Sequence, residues 1–156
     1  MLIIAEASWY GKTGIYFVNE VDSSPKVNTE VYLQLLQEGL LVDCGRLVRN
    51  YTFMQDGASS HTSNPTPQFL KHNTPDFIKK NQWPPQSADL NPMDYFVWPL
   101  MMKNVYEKRR TPYTKEELRQ KIVQSWDEID LETIRKGVAA FRKRLLKVLK
   151  KKRGTY

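Results

Sequence analysis

Apolar residues in this chain fall in short runs whose spacing changes several times, and each change predicts an element. Leu2 to Ser8 is apolar with a β-branched pair, Gly14 to Val18 (GIYFV) is aromatic and β-branched, and Trp9-Tyr10-Gly11-Lys12 separates them. Two such runs around a short glycine-containing turn predict a β-hairpin. From Asn28 to Gly39 the spacing becomes helical: Val31, Leu35 and Leu36 share a stripe, Asn28 or Thr29 serves as N-cap, and Gly39 as the stop. Tyr51 to Met54 is a short apolar run ending in Gln55-Asp56-Gly57, which predicts a buried strand delivering Asp56 at its C-terminal edge. Functional side chains often sit at such edges.

The second half continues the alternation. A Ser/Thr/Asn/Pro cluster after His61 predicts the cap of a helix around Pro65 to His72, and Phe77-Ile78 a short strand. Pro84, Pro85 and Pro92 make Trp83 to Pro92 an extended loop, since proline fixes φ and donates no amide. Met93 onward (MDYFVWPLMMKNVYEK) is rich in large apolar residues and predicts a helix entered at Pro92, with Pro99 expected to kink or end it. Thr114 and Glu117 have capping-box spacing, and Leu118, Ile122, Trp126 and Ile129 then form an amphipathic stripe. Asp130 can cap a last helix whose core face is Ile134, Val138, Phe141 and Leu145, with Lys and Arg on the other face. This order predicts an α/β fold with antiparallel and parallel pairing mixed, and a single domain: a body over 1–130, and a basic C-terminal helix and tail over 131–156.

Composition narrows the classes. A chain of 156 residues can bury a core of its own, and 40% apolar with 26% charged residues is ordinary for a globular protein. No apolar run approaches the roughly 18 residues that span a bilayer, so a membrane protein is not expected. The N-terminus MLIIAEASWYGK has no basic leader before its apolar run, so neither is a secretory signal. Cys44 is the sole cysteine, which excludes an internal disulfide and leaves no companions for zinc; it is expected to be a small buried apolar residue. The net charge of +7 is uneven: of 24 Lys and Arg, ten follow Thr133 with no acid among them, leaving 14 against 17 acids in the body. One-sided charge of this kind favours a polyanion, of which nucleic acid is the usual one, and a solvated helix face is the competing reading.

Chemistry concentrates in two stretches, QDGASSH (Gln55 to His61) and WPPQSADLNPMDYFVW (Trp83 to Trp98). Taken singly they are ordinary: Asp56 reads as a turn residue and Asp94 as an acid favoured at a helix start. Together they resemble the mariner and Tc-element superfamily of DNA transposases. In that family the second catalytic aspartate lies in a QDnAxxH-like motif, and the third carboxylate follows a PPxSPDLNPxD-like motif that opens a helix. The matching residues are Asp56 and Asp94, separated by 37 residues, with Ala88 in place of the usual proline. The resemblance runs from GKTGIYFVN through NTEVYLQLL to RKRL at Arg142 to Leu145, nearly the whole chain.

The resemblance implies a ribonuclease-H-like mixed sheet flanked by helices, and DNA strand cleavage and transfer by two-metal phosphoryl transfer. Two divalent ions, Mg²⁺ or Mn²⁺, about 4 Å apart would be held by Asp56, Asp94 and a further aspartate. It places that first aspartate on a strand just upstream of the hairpin, a position that neither Glu6 nor Glu20 fills. The chain is therefore expected to lack the first strand and the helix-turn-helix modules of intact relatives, to be inactive and poorly stable alone, and to bind metal weakly. The resemblance further implies a nuclear location, transposon-end and target DNA as partners, a possible homodimer, and no small-molecule substrate. For DNA contact the candidates are His61, whose competing role is to hydrogen-bond its own loop, and the basic residues Arg135, Lys136, Arg142, Lys143, Arg144 and Lys147. Asp89 and Asn91 are expected to shape their loop through backbone bonds, and Trp83, Trp98 and Trp126 to be core. The alternative function is a non-catalytic nucleic-acid-binding protein derived from a transposase.

Overall fold

In the computed structural model, which describes residues 1–18, 27–85, 87–107 and 112–153, the predicted N-terminal hairpin is present in two pieces. Strand β1 (Ile3–Ile4) pairs antiparallel with β4 (Tyr16–Phe17), Ile3 opposite Phe17, and β2 (Ala7–Ser8) pairs with β3 (Gly11–Lys12). Thr13 bridges them, its amide donating to Glu6 O at 2.9 Å while its Oγ1 accepts from Glu6 N at 2.9 Å. Glu20, Gln86 of the proline-rich loop and the last three residues of the basic tail lie outside the described residues.

Asn28 caps the first helix, its Oδ1 accepting from Val31 N at 2.8 Å. Gly39 does not stop that helix. Helix α1 (Thr29–Leu35) runs through a π-helical turn (Leu36–Leu40) into α2 (Leu41–Leu47). The reason is packing: Gly39 is buried against the Tyr16 ring, where a Cβ would overlap ring carbons, so the glycine permits close approach rather than marking an end. Asp43 fastens the same contact, its Oδ2 accepting from Tyr16 Oη at 2.6 Å and from Gly14 N at 2.8 Å. Burial, then this bond, pushes the Tyr16 phenol far above its ordinary range.

Strand β5 (Thr52–Phe53) runs parallel to β6 (Asp76–Phe77) in the register Thr52 to Asp76, and α3 (Ser59–Thr62) and α4 (Pro65–Asn73) connect them. The second strand begins one residue earlier than the apolar pair Phe77-Ile78 suggests, and Ile78 N extends the ladder to Phe53 O at 2.9 Å. Helix α4 takes no cap from the Asn64 side chain; Pro65 opens it, and buried Thr66 donates its hydroxyl to Ser60 O at 2.7 Å. Val18, Val31, Tyr32, Leu35, Leu36, Leu40, Phe53 and Leu70 form the core here, with half-buried Cys44 packed against it. Burying each of Leu36, Leu40 and Leu70 contributes about 1.5–3 kcal/mol. Burial also raises the Cys44 thiol to about 12, which makes it an inert apolar filler.

The chain divides into two compact units, Met1–Glu6 with Lys12–Ser87, and Ala7–Gly11 with Ala88–Tyr156. In the second, a 3₁₀ turn (Ala88–Leu90) leads to Pro92, a π-helical turn (Met93–Val97) and α5 (Trp98–Tyr106). Pro99 falls in the first turn of α5, after the change of register, which is where a residue without an amide proton is tolerated. Helix α6 (Lys115–Glu128) starts with the complete Thr114/Glu117 capping box. Asp130 caps α7 (Leu131–Arg153), its Oδ1 accepting from Thr133 N at 2.7 Å. Met93, Val97, Met101, Val105, Ile122, Trp126, Ile129 and Ile134 are buried, and half-buried Trp98 stacks on Trp126 with centroids 6.0 Å apart. Beyond Gly137 the predicted core face of α7 is only half-buried at Val138, Phe141 and Leu145, and Leu146 and Leu149 are exposed. Among the described residues no helix is long and apolar enough to cross a membrane.

Candidate active site and nucleic-acid face

Asp56 stands just past the C-terminal end of β5, in a loop that its own motif ties down. Its Oδ1 accepts from Ala58 N at 3.0 Å and meets His61 Nδ1 at 2.6 Å. The His61 bond, followed by the backbone amide and the imidazole charge, holds the Asp56 carboxyl below its ordinary range against partial burial that works the other way. Asp56 is thus ionised at neutral pH, with its side chain half exposed. Around it, Tyr32 donates its hydroxyl to Gln55 Oε1 at 2.9 Å, Gln55 Nε2 donates to His61 O at 2.8 Å, and the His61 ring lies 4.2 Å from the Tyr32 ring. Burial, with Glu6 and Asp56 nearby, drives the Tyr32 phenol well above its ordinary value, so it stays a donor.

Sequence reasoning assigned Gln55 and Tyr32 no role. Both were detectable: Gln55 is the first letter of the motif, and Tyr32 shares the helical stripe of Leu35 and Leu36 at spacings of three and four.

Asp94 lies in the first turn after Pro92, half-buried, with its amide bonded to Asn91 O at 3.0 Å. Asn91 shapes this turn as expected, its Oδ1 accepting from Met93 N at 3.0 Å. Asp89 contributes through its carbonyl, which accepts from Arg144 Nη1 at 3.1 Å. The Arg144 guanidinium also sits 3.8 Å from the centroid of the Tyr95 ring, and Tyr95 Oη donates to Gly137 O at 2.7 Å. Phe96 packs on Gly137, where an added Cβ would strike its ring. The final helix thus grips the residues on both sides of Asp94.

These contacts divide the six basic candidates. Arg144 is turned inward as described, Arg135 donates its Nε to Trp9 O at 3.0 Å, and Lys136 pairs with Glu132 at 3.0 Å. Arg142, Lys143 and Lys147 carry no such bond among the described residues, and all three are exposed. Lys143, Arg144 and Lys147, with Asp89, Ala140 and Val148, line an open groove of about 480 Å³. His61 is engaged with Asp56 and Tyr32 rather than presented to solvent. Asp56 lies in the first unit and Asp94 in the second, and among the described residues no three His, Cys, Asp or Glu side chains converge to hold a metal ion.

The helix-rich mixed α/β architecture with small sheets is similar in fold to a transposase catalytic domain of known structure. The Mos1 transposase catalytic domain with raltegravir and manganese superposes with a TM-score of 0.70 at 19% identity, over 91% of this chain and 70% of that one. The Mos1 paired-end complex with the left transposon end superposes with a TM-score of 0.71 at 20% identity, over 91% and 40%. In sequence, the chain is 28% identical over 132 residues to the Tc3 transposase of Caenorhabditis elegans, covering 81% of this chain and 38% of that protein's length. No protein-family model matches the chain. Together these likenesses support the relationship to mariner and Tc-element transposases that the two motifs carry.

Proposed function

We propose that this chain is part of the catalytic domain of a cut-and-paste DNA transposase, with Asp56 and Asp94 as two of the carboxylates that hold Mg²⁺ or Mn²⁺. The observation that carries this reading is the state of Asp56. One oxygen is pinned by His61 and Ala58 N, the other has no protein partner among the described residues, and the group is ionised and half exposed. Hard anionic oxygens suit these ions, which keep several waters and need few protein ligands. When bound, such ions activate an attacking hydroxyl and stabilise the leaving oxygen of a phosphoryl transfer. Tyr32, Gln55 and His61 fix the direction of Asp56, and the Arg144 and Tyr95 contacts fix the turn that bears Asp94.

Two carboxylates do not complete the family's set, so this chain alone should not cut DNA. The ribonuclease-H-like sheet of intact relatives, their dimeric assembly and a nuclear location go with the same proposal. Lys143 and Lys147, with Arg142, are its backbone-phosphate contacts, since such contacts need charge and no base sequence. The exposed cations Arg142, Lys143 and Lys147 equally suit a second reading, a non-catalytic nucleic-acid-binding protein derived from a transposase.

Both readings meet in one experiment, incubation of the chain with supercoiled plasmid and Mn²⁺ together with a mobility-shift titration in salt. The expected result is salt-dependent DNA retention that Asp56→Ala with Asp94→Ala leaves unchanged, and no nicking. Metal-dependent nicking abolished by the double variant establishes a complete site and removes the second reading. No DNA retention at physiological salt overturns both.

A further inference from the structure

The tip of the N-terminal hairpin exposes two neighbouring aromatic side chains, Trp9 at 47% and Tyr10 at 61% of full exposure. Scattered exposed apolar residues need no explanation, but these two are adjacent and held. The turn is closed by Ser8 Oγ, which accepts from Tyr10 N at 3.2 Å and donates to Gly11 O at 3.3 Å. Arg135 of α7 then anchors the tip, its Nε bonded to Trp9 O at 3.0 Å and its guanidinium 5.4 Å from the centroid of the Trp9 ring. The cation orients the ring, while about half the side chain stays open to solvent. Lys136, paired with Glu132, follows on the same helix, which continues toward Arg142, Lys143 and Lys147.

A preset aromatic plane backed by a cation, on an element that leads into a basic face, matches one ligand class in particular. We propose that Trp9 and Tyr10 form a stacking platform for an unpaired base of a DNA strand, with the cations of α7 taking the adjoining phosphates. Every base offers a π-face, so such a platform needs no sequence, whereas a base stacked within a duplex has no face to give. The proposal rests on DNA being the partner of this chain and adds which structural form of it the hairpin tip recognises.

Fluorescence anisotropy of the whole chain with a labelled oligothymidylate, and with a blunt duplex of equal length at the same salt, tests it. Trp9→Ala is expected to weaken single-strand binding about tenfold, the usual size of one base-aromatic stack. Duplex affinity should stay unchanged, and Trp9→Phe should retain most of the single-strand affinity. Tyr10→Ala is a second probe at the most exposed ring, and far-ultraviolet dichroism confirms that each variant folds. Unchanged single-strand binding in Trp9→Ala and Tyr10→Ala, or an equal loss on both substrates, overturns the platform. Wild-type binding to the duplex alone also overturns it but leaves the transposase reading intact, whereas binding to neither substrate defeats that reading first.

Discussion

Gly137→Ala tests the grip of the last helix on the Asp94 turn. In an unobstructed helix interior this change stabilises by about 1 kcal/mol, because alanine loses less backbone entropy on folding. At Gly137 the new methyl would meet Phe96 Cγ at 2.9 Å and Cε1 at 3.0 Å, well inside the usual carbon contact of about 3.5–4.0 Å. Cγ is the root of the ring, so a rotation of its far end does not clear the overlap. The neighbouring residue Tyr95 is bonded to the carbonyl of Gly137 itself, which opposes a shift of the helix. Overpacking of this kind costs about 1–3 kcal/mol. The sum is a net loss of about 1 kcal/mol, or about 2–4 °C in Tm for a chain of this size.

Gly45→Ala is the matched control, since Gly45 lies in α2 with nothing within 4 Å of the added methyl. It should gain up to about 1 kcal/mol. Thermal melts followed by circular dichroism compare the two variants directly, and the propensity contribution largely cancels in their difference. If Gly137→Ala melts at or above Gly45→Ala, Phe96 is not seated on the helix and the buttress of Asp94 is not as described.

Further outcomes follow from the same contacts. Tyr32→Phe removes a bond to Gln55 from beneath the Asp56 loop and should lower stability by about 1 kcal/mol, read as a lower urea midpoint at constant slope. An unchanged midpoint would mean that this hydroxyl contributes nothing. The Asp56 carboxyl has a depressed pKa in the folded state, so its contribution is fully present above the unfolded value of about 3.9 and is lost as pH falls through the folded one. Asp56→Asn should therefore flatten the acid limb of stability below about pH 4, and an acid limb identical to wild type would refute the His61 bond as its cause. Thr114→Ala, which dismantles the capping box of α6, should cost about 0.5–2 kcal/mol and appear as increased amide exchange confined to the first turn of that helix.

What could be read from sequence was local. The caps at Asn28, Thr114 and Asp130 each join groups within three residues, so the spacing alone carries the interaction. Gly39 misled because glycine has two uses, ending a helix or admitting a neighbour. Which applies depends on Tyr16, on a strand that only the fold brings near. The same limit separates the basic residues of α7. Arg135, Arg144 and Lys147 look alike along the chain, yet one reaches a carbonyl 126 residues away, one a carbonyl 55 residues away, and the third faces solvent. The two carboxylate motifs were recognisable as strings; the scaffold of Tyr32, Gln55, Tyr95 and Gly137 that holds them was not, because its members are drawn from several elements.

The π-helical turn over Met93–Val97 has an angular consequence for Asp94. Such a turn holds one residue more than an α turn, and a residue corresponds to about 100° around a helix axis. Asp94 lies inside that turn and is therefore rotated, by part of such a step, from where an unbroken helix phased on buried Met101 and Val105 would aim it. Chain length between the carboxylate and that apolar stripe is thus part of the site's definition. A relative one residue shorter just after the acid would keep the letters up to the aspartate and still aim its carboxylate in a different direction.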